Sequence, residues 1–362
     1  MKVSPYLLFK NNGNDTIQIY NISTLKNDNE SRQNFNKISR GQYDLLSRTD
    51  LNYLRIKQYI VDDDFPCPVY HPQAVEIETT TICNWSCVYC PNHYNKRERK
   101  VMSMVLFQNV LNKIVDHKSI QYVTFHFYNE PTIDPLFKSR LVALAKTRLK
   151  LLLFTNGTGL NKDLLDYLKS ISCVESIYFS LPTIDRTKFS SLTNSNTDVE
   201  EYIDKINYAR KIGLNIHISV QGTDETKDLA KEQIKKTFSL KDDDLASWDT
   251  FDRAGLIKNE DYFKNTNINA EKLFGCLQIM QHLYVDIEGN LIICDQDYRK
   301  ENVFGNILNS DLDSEVNSVK ATILRRQIFG LDQGNDTLIC RKCQRMQQMK
   351  IVRLFSEKVF NS

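Results

Sequence analysis

Apolar and polar positions change rhythm twice along this chain. Up to about residue 72 the runs are short. Tyr6–Lys10 and Thr16–Ile22 alternate on either side of Asn-Asn-Gly-Asn-Asp, which predicts a hairpin. A polar stretch, Lys26–Arg32, follows. Gly41–Arg48 and Asp50–Val61 then predict two short helices, with Leu51, Leu54, Ile56 and Ile60 near one face. This order suits a small winged-helix-like module over residues 1–72.

From Ala74 to about Gly255 a strand and a helix alternate. The strands are expected at Ala74–Ile82, Gln121–Phe127, Lys150–Phe154, Glu175–Leu181, Leu214–Val220 and about Ala246–Phe251. Helix starts are marked by Ser103, by Asp134-Pro135 as N-cap and N1 proline, by Asn161, and by a Thr197-x-x-Glu200 capping box; Gly213 marks a stop. Six strand–helix units predict an α/β fold, a parallel sheet closed or partly closed into a barrel over residues 73–255. Ligands of such folds sit at the carboxyl ends of the strands. After Gly255 the alternation stops. A hairpin is expected at His282–Ile287 and Leu291–Cys294 around Glu288-Gly289-Asn290, within a third region, 256–362.

Bulk properties narrow the class. The chain has 362 residues, 41% hydrophobic and 25% charged, with a formal net charge of +2. That balance gives no global field for nucleic acid or a membrane surface. No apolar run approaches the ~20 residues of a spanning helix, and the amino terminus is too short in apolar residues for a signal peptide. Nine cysteines without an export signal predict a cytoplasmic protein that uses them for metal ligation.

Three of these cysteines, Cys83, Cys87 and Cys90, stand at C-x3-C-x2-C spacing directly after the first strand. Each iron of an iron–sulfur cube takes one thiolate, so three leave one iron open to a ligand. A zinc site would need a fourth ligand, for which His93 is the nearby candidate. A second set, Cys276, Cys294, Cys340 and Cys343, supplies four thiols and would close a cluster or a zinc. Cys173, just before the fourth strand, reads as buried filler, whereas Cys67, in Phe-Pro-Cys-Pro upstream of the first strand, is left open by its position. Lys96–Lys100 reads as a solvated loop or a docking point for an acidic substrate. Arg253 is expected toward the barrel mouth, where adenine, a substrate carboxylate or Asp252 are its candidate partners. The basic positions Arg341, Lys342, Arg345, Lys350 and Arg353 read as a helix face, with a partner surface as the alternative.

The triplet, with Tyr89 as the aromatic before the last cysteine, resembles the signature of radical SAM enzymes, and the resemblance extends over roughly residues 74–350. It implies a partial (β/α)6 TIM-like barrel, a [4Fe–4S] cluster on Cys83, Cys87 and Cys90, and S-adenosylmethionine (SAM) on the open iron. It implies reductive cleavage of SAM to a 5′-deoxyadenosyl radical, with an electron donor of the flavodoxin or ferredoxin type. Phe127-Tyr-Asn-Glu-Pro131 is similar to the family's Gly-Glu-Pro, with Asn129 in place of glycine; Glu130 would then accept hydrogen bonds from the SAM ammonium. Asn156 of Thr155-Asn156-Gly157, Ser180 and Gln221 occupy positions where the family contacts SAM. The four later cysteines resemble a SPASM domain in the shortened form called twitch, holding an auxiliary [4Fe–4S] cluster. The resemblance implies an oxidoreductase-type enzyme. Its expected substrate is a ribosomally made peptide, because the amino-terminal module is similar to peptide-recognition elements of such maturases. A sugar, polyol or aminocyclitol dehydrogenase or epimerase is the alternative, and a zinc-binding recognition protein without catalysis is the alternative of another class.

Overall fold

A computed structural model describes residues 2–4, 7–11, 16–21, 26–31, 46–62, 70, 72–222, 224–241, 244–249, 251–257, 273 and 275–346. The chain divides into two units: residues 1–70, 268–280 and 316–362 form one, and residues 71–267 and 281–315 the other. Cys67, most of the helix expected at 41–48, and the basic positions beyond residue 346 lie outside the described residues.

In the first unit, β1 (Lys2–Val3) pairs antiparallel with β5 (Ile60–Val61). β2 (Leu7–Asn11), β3 (Thr16–Asn21) and β4 (Lys26–Ser31) form a three-stranded antiparallel sheet. The expected hairpin is therefore present, and the polar stretch after it is a third strand rather than a connection. Its sequence, Lys-Asn-Asp-Asn-Glu-Ser, has low strand propensity, and pairing along all six positions of β3 outweighs that preference. α1 (Arg48–Ile56) starts at Ser47, whose hydroxyl accepts from Asp50 N at 3.0 Å. Leu7, Ile19, Leu54, Tyr59 and Ile60 are the core of this module. Cys276, Cys340 and Cys343 belong to the same unit and are buried.

The second unit is built on β6 (Ala74–Ile77), β7 (Tyr122–Thr124), β8 (Lys150–Thr155), β9 (Val174–Ser180), β10 (Ile216–Gly222) and β11 (Leu245–Asp249). All pair in parallel, in sequence order. They are the six expected strands. The sheet continues beyond β6 through β12 (His282–Val285), parallel to it, then antiparallel β13 (Asn290–Ile292) and β14 (Val303–Asn306). Among the described residues β11 and β14 are its two edges. Gly289 makes the β12–β13 turn at φ +84°, its N–H donating to Asp286 O at 3.0 Å.

Between the strands run α2 (Met104–Asp116), α3 (Phe137–Leu144), α4 (Lys162–Ser170), α5 (Arg186–Thr193), α6 (Val199–Lys211) and α7 (Asp224–Phe238). Ser103 and Asn161 cap α2 and α4 as expected. Two starts differ. Asp198, not Thr197, caps α6, because its carboxylate accepts from both Glu200 N and Glu201 N. α3 begins at Phe137; Asp134 instead accepts from Leu136 N at 2.9 Å and pairs with the fully buried Arg140 at 2.9 Å.

Strand alternation gives the sheet two unlike faces. Val75, Ile77, Val123, Leu151, Leu153, Ile177, Phe179, Ile218 and Val220 are sealed on one face. The other, inner face carries Glu76, His126, Leu152, Phe154, Tyr178 and His217 and stays partly accessible at every one of these positions except Glu76. Among the described residues no helix is long and apolar enough to cross a membrane.

Candidate functional site

The loop after β6 holds Cys83, Cys87 and Cys90, each partly exposed. Cys90 N donates to Cys87 O at 2.9 Å, which folds the triplet into one turn. Burial pushes the Cys83 thiol up to about 12, and the neighbouring Glu130 and Cys90 add to it. Burial likewise raises Cys87 well above its ordinary value, with Cys90 and Cys83 as further causes, and raises Cys90. The three thiols thus lie within electrostatic reach of one another, where their charged forms need a metal's positive charge. Among the described residues no three His, Cys, Asp or Glu side chains already converge on one point as a metal cage. His93, the fourth zinc ligand considered above, has Nδ1 engaged by Ser86, at 2.9 Å from its carbonyl and 3.1 Å from its hydroxyl.

Glu130 follows β7 and is 1% exposed. Its Oε1 accepts from Thr132 N (3.0 Å), Thr132 Oγ1 (2.5 Å) and Thr155 Oγ1 (2.6 Å); its Oε2 accepts from Asn156 N (2.5 Å). Burial pushes this carboxyl up, and those four donors pull against it. Asn129, where the motif has glycine, closes its own turn: Oδ1 accepts from Phe127 N at 2.8 Å and Nδ2 donates to Phe125 O at 3.0 Å.

Asn156 joins the two loops. Its Nδ2 donates to Asn84 Oδ1 at 3.0 Å and lies 3.8 Å from Cys83 Sγ, while its backbone holds Glu130. Gly157, at φ +71°, follows; a Cβ there would stand 2.1 Å from the Tyr202 ring. The structure therefore brings Cys83, Glu130 and Asn156 together from three separate strand ends. Tyr89 packs against Ile257, with Cys87, Val88 and Leu192 around it. Ser180 ends β9, and its carbonyl accepts from Tyr202 Oη at 3.2 Å. Gln221 is not past the fifth strand but within β10, paired with Trp248 of β11.

Arg253 Nη1 pairs with Asp295 Oδ2 at 2.9 Å, and its guanidinium lies 5.3 Å from the Tyr128 ring centre. It contributes, by charge, to Cys90. Within the Lys96–Lys100 run, Arg97 is no solvated charge: it bonds the fully buried Glu78 and lies 5.0 Å from the Tyr298 ring centre. Lys96, Glu98 and Arg99 are exposed, as expected. Cys173 is buried, its thiol 3.7 Å from Leu141 O. Cys294, after β13, is buried in this unit. In the other unit, burial and the nearby Cys276 push Cys343 up to about 11.

Residues that sequence reasoning missed lie on the inner face. His126, His217 and His282 stand singly in sequence, and Glu76 sits inside the first strand's alternation. The signal available was that alternation, which puts Glu76 opposite Val75 and Ile77.

Comparison with known proteins agrees with this geometry. Residues 77–236 match the model of the radical SAM superfamily, and residues 276–344 match the iron–sulfur cluster-binding domain called SPASM. The chain is 22% identical over 275 residues, 74% of its length and 91% of the relative's, to an S-adenosyl-L-methionine-dependent 2-deoxy-scyllo-inosamine dehydrogenase of Niallia circulans. Streptococcus suis SuiB bound to precursor peptide SuiA aligns at TM-score 0.59 and 13% identity, covering 96% of this chain and 94% of that one. A structure named anSMEcpe, with bound AdoMet and Cp18Cys peptide, aligns at TM-score 0.53 and 16% identity over 76% of this chain and 87% of that one.

Proposed function

We propose, for a chain that belongs to the radical SAM superfamily and carries a SPASM-type iron–sulfur domain, that it modifies a ribosomally made peptide by abstracting a hydrogen atom. The matched domains imply a SAM-binding [4Fe–4S] cluster, SAM and a further iron–sulfur cluster. The observation that carries the peptide reading is coverage. The likeness of fold to the peptide-bound SuiB extends over 96% of this chain. In the amino-terminal sheet, β2 and β4 each pair on one side only among the described residues. Such edges can take an extended peptide as an added strand. The similarity to an aminocyclitol dehydrogenase, over 91% of that relative, supports a small-molecule substrate as the second reading.

The residues fit the cofactor. Cys83, Cys87 and Cys90 are soft donors on one turn, and their resistance to ionisation is what bound iron would relieve. When bound at the open iron and reduced by one electron, SAM supplies the 5′-deoxyadenosyl radical. Glu130 would hold the methionyl ammonium, with Thr132, Thr155 and Asn156 fixing the carboxylate's direction. Asn156 Nδ2 would donate toward the Cys83 sulfur and tune its charge. Tyr89 would wall the cluster from water through its packing with Ile257. Ser180 and Gln221, at the ends of β9 and β10, would contact the nucleoside side of SAM.

The test uses the full-length chain, reconstituted anaerobically with iron and sulfide and supplied with dithionite and SAM. It is offered the short peptides encoded beside its gene and, separately, 2-deoxy-scyllo-inosamine. A peptide mass change accompanied by 5′-deoxyadenosine supports the proposal. Turnover of the aminocyclitol with every peptide unchanged replaces it with the second reading.

A further inference from the structure

Glu76 is the anomaly of the inner wall. It sits mid-sheet on β6, in register with Thr124 of β7 and Tyr284 of β12. It is 8% exposed, and its ionic neighbours are two histidines: His282 Nδ1 at 3.2 Å from Oε1 and His126 Nδ1 at 3.7 Å from Oε2. Two residues on, Glu78 is served quite differently. Arg97 and Lys300 both pair with it, and Ile287 N donates to it. Burying a carboxylate without a compensating cation is costly, so a retained one needs a partner.

His126 does not supply that charge at neutral pH. Burial holds His126 below its ordinary value, against the opposing pull of Glu76 and Asp295; Arg253, itself paired with Asp295, pushes the same way as burial. At 3.7 Å, His126 Nδ1 has no hydrogen-bond partner, and it is buried. The His126 and His282 side chains are nevertheless 35% and 30% accessible. Rings surrounded by protein yet reachable by solvent line a recess. Its wall is aromatic: His126, Phe154, Tyr178 and His217 stack in one row across β7 to β10, at centroid distances of 5.3, 4.5 and 4.7 Å. His282 stacks on Tyr284 on the other side of Glu76.

We propose that Glu76, with His126 and His282 beside it, is the subsite that receives a primary ammonium group of the substrate. An ammonium carries the three donors that one carboxylate and an unpartnered imidazole nitrogen can accept. The flanking rings suit the carbons that bear it, and their faces attract cations. The inference rests on the reading that the substrate enters this barrel, and it deepens that reading: the peptide would present a lysine side chain, and an aminocyclitol its amine. Glu130 is not the equivalent site, because beyond its four protein donors the reading above gives its remaining acceptor capacity to the ammonium of SAM.

The test is equilibrium binding, without turnover, to the reconstituted full-length chain with SAM present. The probes are N-acetyl-lysine methylamide against N-acetyl-norleucine methylamide, and 2-deoxy-scyllo-inosamine against scyllo-inositol. In at least one pair the ammonium compound binds about tenfold more tightly than its neutral counterpart, the worth of a charge-assisted hydrogen bond. The pair that shows the preference identifies the source of the amine. Glu76→Gln removes the preference. In the unmodified chain the preference also falls as pH drops through the titration of His126, which burial holds below its ordinary value, because its imidazolium then neutralises Glu76. Equal binding within both pairs, no binding by any probe, or a preference that persists at low pH overturns the subsite. Production of 5′-deoxyadenosine from dithionite and SAM is followed in parallel: its absence counts against the enzyme reading, whereas its presence with no ammonium preference counts against the subsite alone.

Discussion

Thr155→Val isolates the device that holds Glu130. The substitution keeps the side chain's shape and deletes one hydroxyl. That hydroxyl donates to Glu130 Oε1 at 2.6 Å and accepts from Gly157 N at 2.9 Å. Thr155 and Glu130 are 2% and 1% exposed, so water cannot replace what is lost. A hydrogen bond to a charged group contributes about 1.5–3 kcal/mol, and a stranded N–H costs about 1 kcal/mol more. The expected loss is therefore about 3 kcal/mol near pH 8. It should depend on pH with a definite sign. Burial already raises the Glu130 carboxyl above its ordinary value, so its ionised form is the costly one, and that cost sets in as pH rises through the folded-state value. Removing a donor raises the value further. The variant should then be destabilised most at pH 8 and by about 1 kcal/mol less at pH 4.5, where the protonated carboxyl needs fewer donors. Denaturant unfolding followed by the fluorescence of Trp85, packed between Phe189 and Tyr202, reports this in the unloaded chain. A Thr155→Val chain as stable as its parent at both pH values would refute the argument that Glu130 is held by these donors.

Other outcomes follow from the same structure. Gly157→Ala should destabilise by about 2 kcal/mol or more, because the backbone is left-handed and the new methyl meets the buried Tyr202 ring; unfolding midpoints check it. Asp134→Ala should cost about 3–5 kcal/mol in the same assay by stranding the fully buried Arg140, which also donates to the Thr79 and Met102 carbonyls. Cys173→Ala should leave the iron content of the reconstituted protein unchanged, since its thiol faces only Leu141 O among its described hydrogen bonds. Reconstitution should load about eight irons per chain, and chelation before assembly should abolish the visible absorption of both clusters.

Local pattern reveals some of these elements well. The six parallel strands, the caps at Ser103 and Asn161, and the turn at Gly289 depend on neighbours in sequence, and they stand where residue type put them. The site's outline was legible for the same reason, since Cys83, Glu130 and Asn156 each follow a strand and those three strands run in one direction. What was hidden depends on remote pairing. β4 is a strand only because β3 lies beside it, and β12 joins the sheet next to β6 although some two hundred residues separate them. Arg97 looks like part of a solvated charge run until Glu78 and the Tyr298 ring are placed around it. The histidines of the inner wall carry no spacing signal, and three strands must be assembled before His126 meets Phe154 and Glu76.

The central claim is that the turn bearing Cys83, Cys87 and Cys90, faced by Glu130, carries out reductive cleavage of SAM. The most direct measurement is anaerobic incubation of the reconstituted full-length chain with dithionite and SAM, with quantification of 5′-deoxyadenosine. The parent chain should form it, Glu130→Gln should form it with weakened SAM affinity, and Cys83→Ala should form none. A Cys83→Ala protein that yields as much 5′-deoxyadenosine as its parent, or a parent with bound iron that yields none, would contradict the account.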